Sequence, residues 1–208
     1  MNDMKKRQVI VIHGGDSFGT YRQYISFLKK WKIDFEDYRH PKKKWRDNLG
    51  KSLGKDFEVI IPRMPNNLNA RYLEWKIWFD KFVPHLKSGV VLVGYSLGGI
   101  FLAKYLTEKK FPVKIAGTFL IAAPFENRGS DPDGESLVDF KLPKKLDGFR
   151  KQGGRIFIYH SKDDPIVPCF HADRYEKVLE TATKRVFANR GHFWQSKFPE
   201  LVRDIRSL

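Results

Sequence analysis

Short apolar runs punctuate this chain. Val9-Ile10-Val11-Ile12, Val90-Val91-Leu92-Val93 and Ile156-Phe157-Ile158-Tyr159 each lack any charge. Runs this short, rich in β-branched and aromatic residues, are buried strands rather than helices. The pattern predicts strands at 8–12, 57–61, 89–93, 115–121, 155–160 and 184–188. Apolar residues at helical spacing predict helices at about 17–30, 69–86, 97–110, 170–181 and 198–207. In the helix from 69, Tyr72, Trp75, Phe79, Phe82 and Leu86 share one face, which is core packing and not a cofactor box. Leu201, Ile205 and Leu208 do the same for the last helix. Strands mostly alternating with helices predict an α/β fold: about six strands in a mainly parallel sheet with helices on both faces.

Two segments depart from this alternation. Residues 31–55 are basic and aromatic and read as an insertion. Residues 124–150 contain Gly129-Ser130-Asp131-Pro132-Asp133-Gly134, a loop signature, placed where a lid or cap would sit. No repeat is visible, and a length of 208 residues fits one domain with ample core.

Composition narrows the class. With 41% hydrophobic and 14% aromatic residues, global disorder has no support. No apolar run approaches the ~20 residues of a membrane span. Lys5-Lys6-Arg7 before an apolar run mimics a signal peptide, but the run breaks at His13-Gly14-Gly15 and reads as the first strand. The single cysteine excludes an internal disulfide. A cytoplasmic protein is expected. The net charge of +15 is spread along the chain, with one dense patch at Lys42-Lys43-Lys44-Trp45-Arg46. No nucleic-acid-binding motif accompanies it, so a solvated surface is expected and specific nucleic-acid binding is not.

The chemistry is carried by Gly94-Tyr95-Ser96-Leu97-Gly98-Gly99. This G-x-S-x-G stands between a strand and a helix, the context of a nucleophile elbow. A serine on so sharp a turn needs small neighbours, and the helix N-terminus beneath it favours developing negative charge. Two further strands end in candidate partners: Asp164, in Asp163-Asp164-Pro165-Ile166-Val167-Pro168, and His192, after Gly191. The order Ser96, Asp164, His192 is that of the α/β-hydrolases. Asp163 is expected to be a solvated neighbour of the acid. His160 and His171 flank the acid loop, but neither follows the last strand. His40 and His85 are expected to be structural or exposed, and Cys169 lacks an elbow.

The first strand ends in His13-Gly14-Gly15-Asp16. Acyl transfer needs two N–H donors aimed at the tetrahedral oxygen. One is expected from Leu97, and the other from Gly15 or Asp16. Phe18, Phe125, Phe193 and Trp194 are candidates for an apolar acyl pocket. Neither a metal nor an organic cofactor is implied.

These motifs resemble the small α/β-hydrolases of the retinoblastoma-binding-protein-9 and YdeN type. The resemblance covers most of the chain. It includes His13-Gly14-Gly15, Arg63-Met64-Pro65 with Ala70-Arg71 and Trp75, the elbow, Asp163-Asp164-Pro165, and Gly191-His192-Phe193 with Gln195. It implies a compact hydrolase core, a Ser96, Asp164 and His192 triad, and hydrolysis of small esters or amides. The basic stretch 31–55 and Leu97 in the elbow depart from the pattern. No Leu-x-Cys-x-Glu motif is present, so a retinoblastoma-binding role is not carried over. Thioester hydrolysis, acyl transfer to another acceptor, and a non-catalytic interaction protein on the same fold are the competing readings.

Overall fold

The computed structural model describes residues 6–127 and 136–208. Six strands form one sheet: β1 (Arg7–Ile12), β2 (Phe57–Ile60), β3 (Val90–Tyr95), β4 (Ile115–Ile121), β5 (Arg155–Ser161) and β6 (Thr183–Phe187). Their order is β2-β1-β3-β4-β5-β6, and every pairing is parallel. Strand order reverses at β1, where the chain goes first to β2 and then returns to β3. That reversal opens a crevice at the carboxyl ends of β1 and β3, where open α/β sheets hold their ligands.

Alternation along the strands feeds two cores. Ile10, Ile12 and Leu92 face one side; Val9, Val11, Val91 and Val93 face the other. The first side is covered by α4 (Tyr72–Asp80), α5 (Leu97–Glu108), α6 (Asp147–Gln152) and α7 (Phe170–Val178). Nine of the 12 residues of α5 are buried. A helix apolar nearly all round belongs in a core. The second side is covered by α3 (Trp45–Leu53) and α8 (Pro199–Arg206). Two further helices, α1 (Tyr21–Lys30) and α2 (Phe35–Arg39), precede α3 and bury no residue.

The structure corrects several boundaries. The stretch 31–55 is not an insertion throughout. Trp45, Leu49 and Leu53 recur at helical spacing and are buried under the sheet, so α3 is part of the β1-to-β2 crossover. The helix predicted over 69–86 ends at Asp80, and a 3₁₀ turn follows at Val83–His85. Pro84 explains the break, since it cannot donate to a continuing helix. The helix expected from 17 starts at Tyr21, because Thr20 and Gln23 form a capping box.

The 124–150 stretch is anchored on its far side. Leu137, Phe140, Leu146 and Phe149 are buried in the first core. Phe140 meets Trp75 edge-on at 5.3 Å. The Gly129-to-Gly134 loop signature lies outside the described residues. No helix among the described residues is long and apolar enough to cross a membrane.

Candidate active site

Ser96 sits between β3 and α5 with φ 53° and ψ −122°. A side chain rarely adopts such angles, at a cost of about 1–3 kcal/mol that the surroundings must absorb. The glycines show how. A Cβ on Gly94 would lie 2.5 Å from the Gly98 carbonyl oxygen. One on Gly98 would strike the carbonyl oxygen of Ile12, with that of His13 at 2.7 Å. One on Gly99 would meet the Ala123 Cβ at 2.5 Å. The Ser96 N–H donates to the Ile121 carbonyl (2.8 Å), which ties the elbow to β4. Ser96 itself is half-buried and lines a cleft of about 680 Å³.

The loop after β1 packs against the elbow: a Cβ on Gly14 would sit 3.0 Å from that of Ser96. His13 holds this loop in place. Its Nε2 accepts from the Met64 N–H (2.9 Å), so Nδ1 carries the proton and donates to the Gly14 carbonyl (2.6 Å). Burial lowers the His13 pKa, with a smaller push in the same direction from the Arg46 charge, favouring that neutral tautomer. Gly15 and Asp16 both line the cleft. The Asp16 N–H is already given to the Asn67 carbonyl (2.8 Å).

Asp164 and His192 meet across the turns that follow β5 and β6. The His192 Nδ1 lies 2.8 and 3.0 Å from the two carboxylate oxygens of Asp164. Both side chains are buried. The Asp164 Oδ1 also accepts from the N–H groups of Ile166 (2.8 Å) and Val167 (2.9 Å). His160 closes the same turn, donating Nε2–H to the Val167 carbonyl (2.7 Å). A carboxylate only accepts, so Nδ1 of His192 is the donor in this pair, and Nε2 is the ring nitrogen that Asp164 leaves free.

Asp163 is exposed but engaged, which corrects its reading as a merely solvated neighbour. It accepts from the Ser161 hydroxyl (2.5 Å) and the Gly191 N–H (2.9 Å). The Ser161 hydroxyl bond is the main reason its carboxyl is held below the usual carboxylate range. Asp163 is thus a strut between the acid turn and the histidine turn.

Three of the four expected pocket aromatics are elsewhere. Phe193 is buried between Phe187 and Phe198, because φ of 51° at Gly191 and 56° at Phe193 turns it into the core. Phe18 packs on Phe27 at 4.9 Å, and Phe125 on Tyr175 at 5.0 Å. Only Trp194 of the four lines the cleft, 6.0 Å from the His192 ring. The apolar lining comes instead from residues such as Met64, Leu97, Leu137 and Val167.

Two contributors were not legible from motifs. The Tyr95 hydroxyl donates to the His192 backbone carbonyl (2.7 Å), and Arg46 stacks on the Tyr95 ring at 4.9 Å. The elbow's variable position thereby braces the histidine turn. A signal existed in the apolar spacing beneath the basic patch, which places Arg46 at the start of a packed helix. His160 and His171 are buried in structural roles, and Cys169 does not line the cleft. Among the described residues no group of three or more His, Cys, Asp or Glu side chains could hold a metal ion.

The relatives agree with this architecture. A family model described as serine hydrolase matches residues 37–199. The serine hydrolase RBBP9 of Rattus norvegicus is 23% identical over 152 residues, 73% of this chain and 78% of that protein. The ydeN gene product of B. subtilis superposes with a TM-score of 0.68 at 18% identity, over 97% of this chain and 98% of that one. Est1E of Butyrivibrio proteoclasticus gives 0.60 at 12% identity, over 99% and 88%. On its family match, its parallel α/β-hydrolase sheet and its strained serine elbow, this chain belongs to the serine hydrolase family and is an enzyme of that class.

Proposed function

We propose that the protein hydrolyses small carboxylic esters or amides through a covalent acyl-enzyme on Ser96, with His192 as base and Asp164 as its orienting acid. The observation that carries the reading is the buried Asp164–His192 pair, whose His192 lines one cleft with a serine on a strained elbow. The His192 Nε2 takes the Ser96 proton as Oγ bonds to the substrate carbonyl carbon, whose oxygen becomes the oxyanion. Asp164 offsets the imidazolium charge and fixes the ring tautomer. Collapse of the intermediate breaks the bond to the alcohol or amine, which leaves with the proton from Nε2. Water then gives a proton to Nε2 and its oxygen to the acyl carbon, releasing the acid and restoring Ser96.

Two backbone donors suit the oxyanion. Leu97 offers the first N–H of α5, where the helix dipole adds its partial charge. Gly15 is the better of the two loop candidates, because the Asp16 N–H already has its acceptor. Gly15 also tolerates no side chain: a Cβ there would lie 2.5 Å from the Asn67 carbonyl oxygen.

The test is a panel of short-chain esters, anilides and thioesters assayed with wild type and Ser96→Ala. Ester or amide turnover that vanishes in Ser96→Ala supports the proposal. Turnover confined to thioesters moves the substrate class. Ester turnover that survives Ser96→Ala contradicts the mechanism.

A further inference from the structure

One wall of the cleft is cationic, and no carboxylate among the described residues pairs with its charges. Lys44 and Arg46 come from the start of α3, and Arg63 from the loop after β2; all three line the same cleft as Ser96 and His192. None of them forms an ion pair among the described residues. The acids that line the cleft differ. Asp47 accepts from the Lys44 N–H at 2.8 Å, Glu126 pairs with Arg174 at 3.4 Å, and Asp16 has interactions of its own.

Arg46 has a supported side chain, and Arg63 stands on a loop whose backbone is tied down. Arg46 lies on the Tyr95 ring at 4.9 Å, next to the elbow. The loop bearing Arg63 is pinned at the two residues that follow it: the Met64 N–H donates to His13 (2.9 Å), and Trp75 Nε1–H donates to the Pro65 carbonyl (2.8 Å). A guanidinium held in place beforehand, as that of Arg46 is on Tyr95, binds planar anions with little ordering cost. Solvated surface lysines supply no such convergence from two separate elements beside a nucleophile.

We infer that this wall is an anion subsite and that the preferred substrates are small esters or amides carrying a carboxylate or phosphate group. The inference rests on the acyl-transfer reading for its catalytic half only, because anion binding can be measured without turnover. Opposite charges across a partly enclosed cleft attract more strongly than in bulk water, and the attraction weakens as salt screens it.

The experiment compares mono-4-nitrophenyl adipate with methyl 4-nitrophenyl adipate, which share a chain and differ in one charge. A second pair, 4-acetoxybenzoate and its methyl ester, puts the charge on the leaving group. A third, 4-acetoxyphenyl phosphate and 4-acetoxyphenyl methyl ether, distinguishes phosphate from carboxylate. In at least one pair the anionic ester is expected to have a kcat/KM about tenfold or more higher, carried mainly by KM. That preference should shrink severalfold in Arg63→Gln and Lys44→Gln, both exposed positions, and fall with added salt. Calorimetric titration of Ser96→Ala with the same esters separates the two claims. Anion-selective binding there without any wild-type turnover sinks the catalytic reading and keeps the subsite. Equal kcat/KM within every pair, or a preference that Arg63→Gln and Lys44→Gln both leave intact, overturns the subsite.

Discussion

The elbow after β3 and the acid turn after β5 each place a polar side chain, Ser96 and Asp164, at the carboxyl edge of the sheet, and they do so by opposite means. The elbow is built from absent side chains. Gly94, Gly98 and Gly99 let α5 press against β3, the end of β1 and the turn after β4 until no Cβ fits between them. The acid turn is built from hydrogen bonds. Asp164 gathers two N–H groups and the His192 ring, while Asp163 joins Ser161 to Gly191. Steric constructions fail when atoms are added. Hydrogen-bonded ones fail when a particular atom is lost, and tolerate isosteres that keep it.

The largest expected effect separates chemistry from either construction. Ser96→Ala should lower kcat by ~10⁶-fold, because members of such a triad act as a unit. Steady-state kinetics with melting as a control checks this. Asp164→Asn comes next, at up to ~10⁴-fold, since an amide can hold His192 in the wrong tautomer. Melting should change far less than turnover in that variant. If Asp163→Asn proves the more damaging of the two, the roles of the adjacent acids are reversed.

Gly98→Ala tests the steric side. The added methyl must push the Ile12 and His13 carbonyls away, at a cost of about 1–3 kcal/mol in stability. A displaced loop near Ser96 should cost ~10²-fold in kcat. A variant with unchanged melting and turnover would refute the account of the elbow.

Asp163 gives the smallest effects. Asp163→Asn keeps an oxygen for the Gly191 N–H and should lose less than about tenfold in kcat. Asp163→Ala removes the strut and should melt earlier than wild type, in a pH-dependent way. The native carboxyl has a lowered pKa, so its contribution is fully present above the unfolded value of ~3.9 and disappears as pH falls through the native one. The melting difference should therefore close below about pH 4 and stay constant above about pH 5. A difference that widens in acid would contradict the strut.

This contrast also explains what the sequence revealed. Steric requirements are written in residue type, so the glycines around Ser96 were legible and fixed the elbow's place. Hydrogen-bond roles are written in geometry, so Asp163-Asp164 offered two identical letters, and only the folded turn sets one against His192 and the other against Gly191. The strands were legible because buried parallel strands read as apolar runs. The role of α3 was masked by the charges around Trp45, although Leu49 and Leu53 continue its face. The aromatic pocket failed for a related reason. Two successive positive φ regions around His192 swap which ring faces inward, and no composition rule foretells that Phe193 enters the core while Trp194 reaches the cleft.

The central claim is that Ser96 is a nucleophile activated by the Asp164–His192 pair. The most direct measurement is reaction with a fluorophosphonate, followed by peptide mapping of the adduct. The account predicts one phosphonylated residue, Ser96, with labelling lost in Ser96→Ala, strongly slowed in Asp164→Asn and nearly normal in Asp163→Asn. No adduct on the folded protein, an adduct on another residue, or equal labelling rates in both aspartate variants would contradict it.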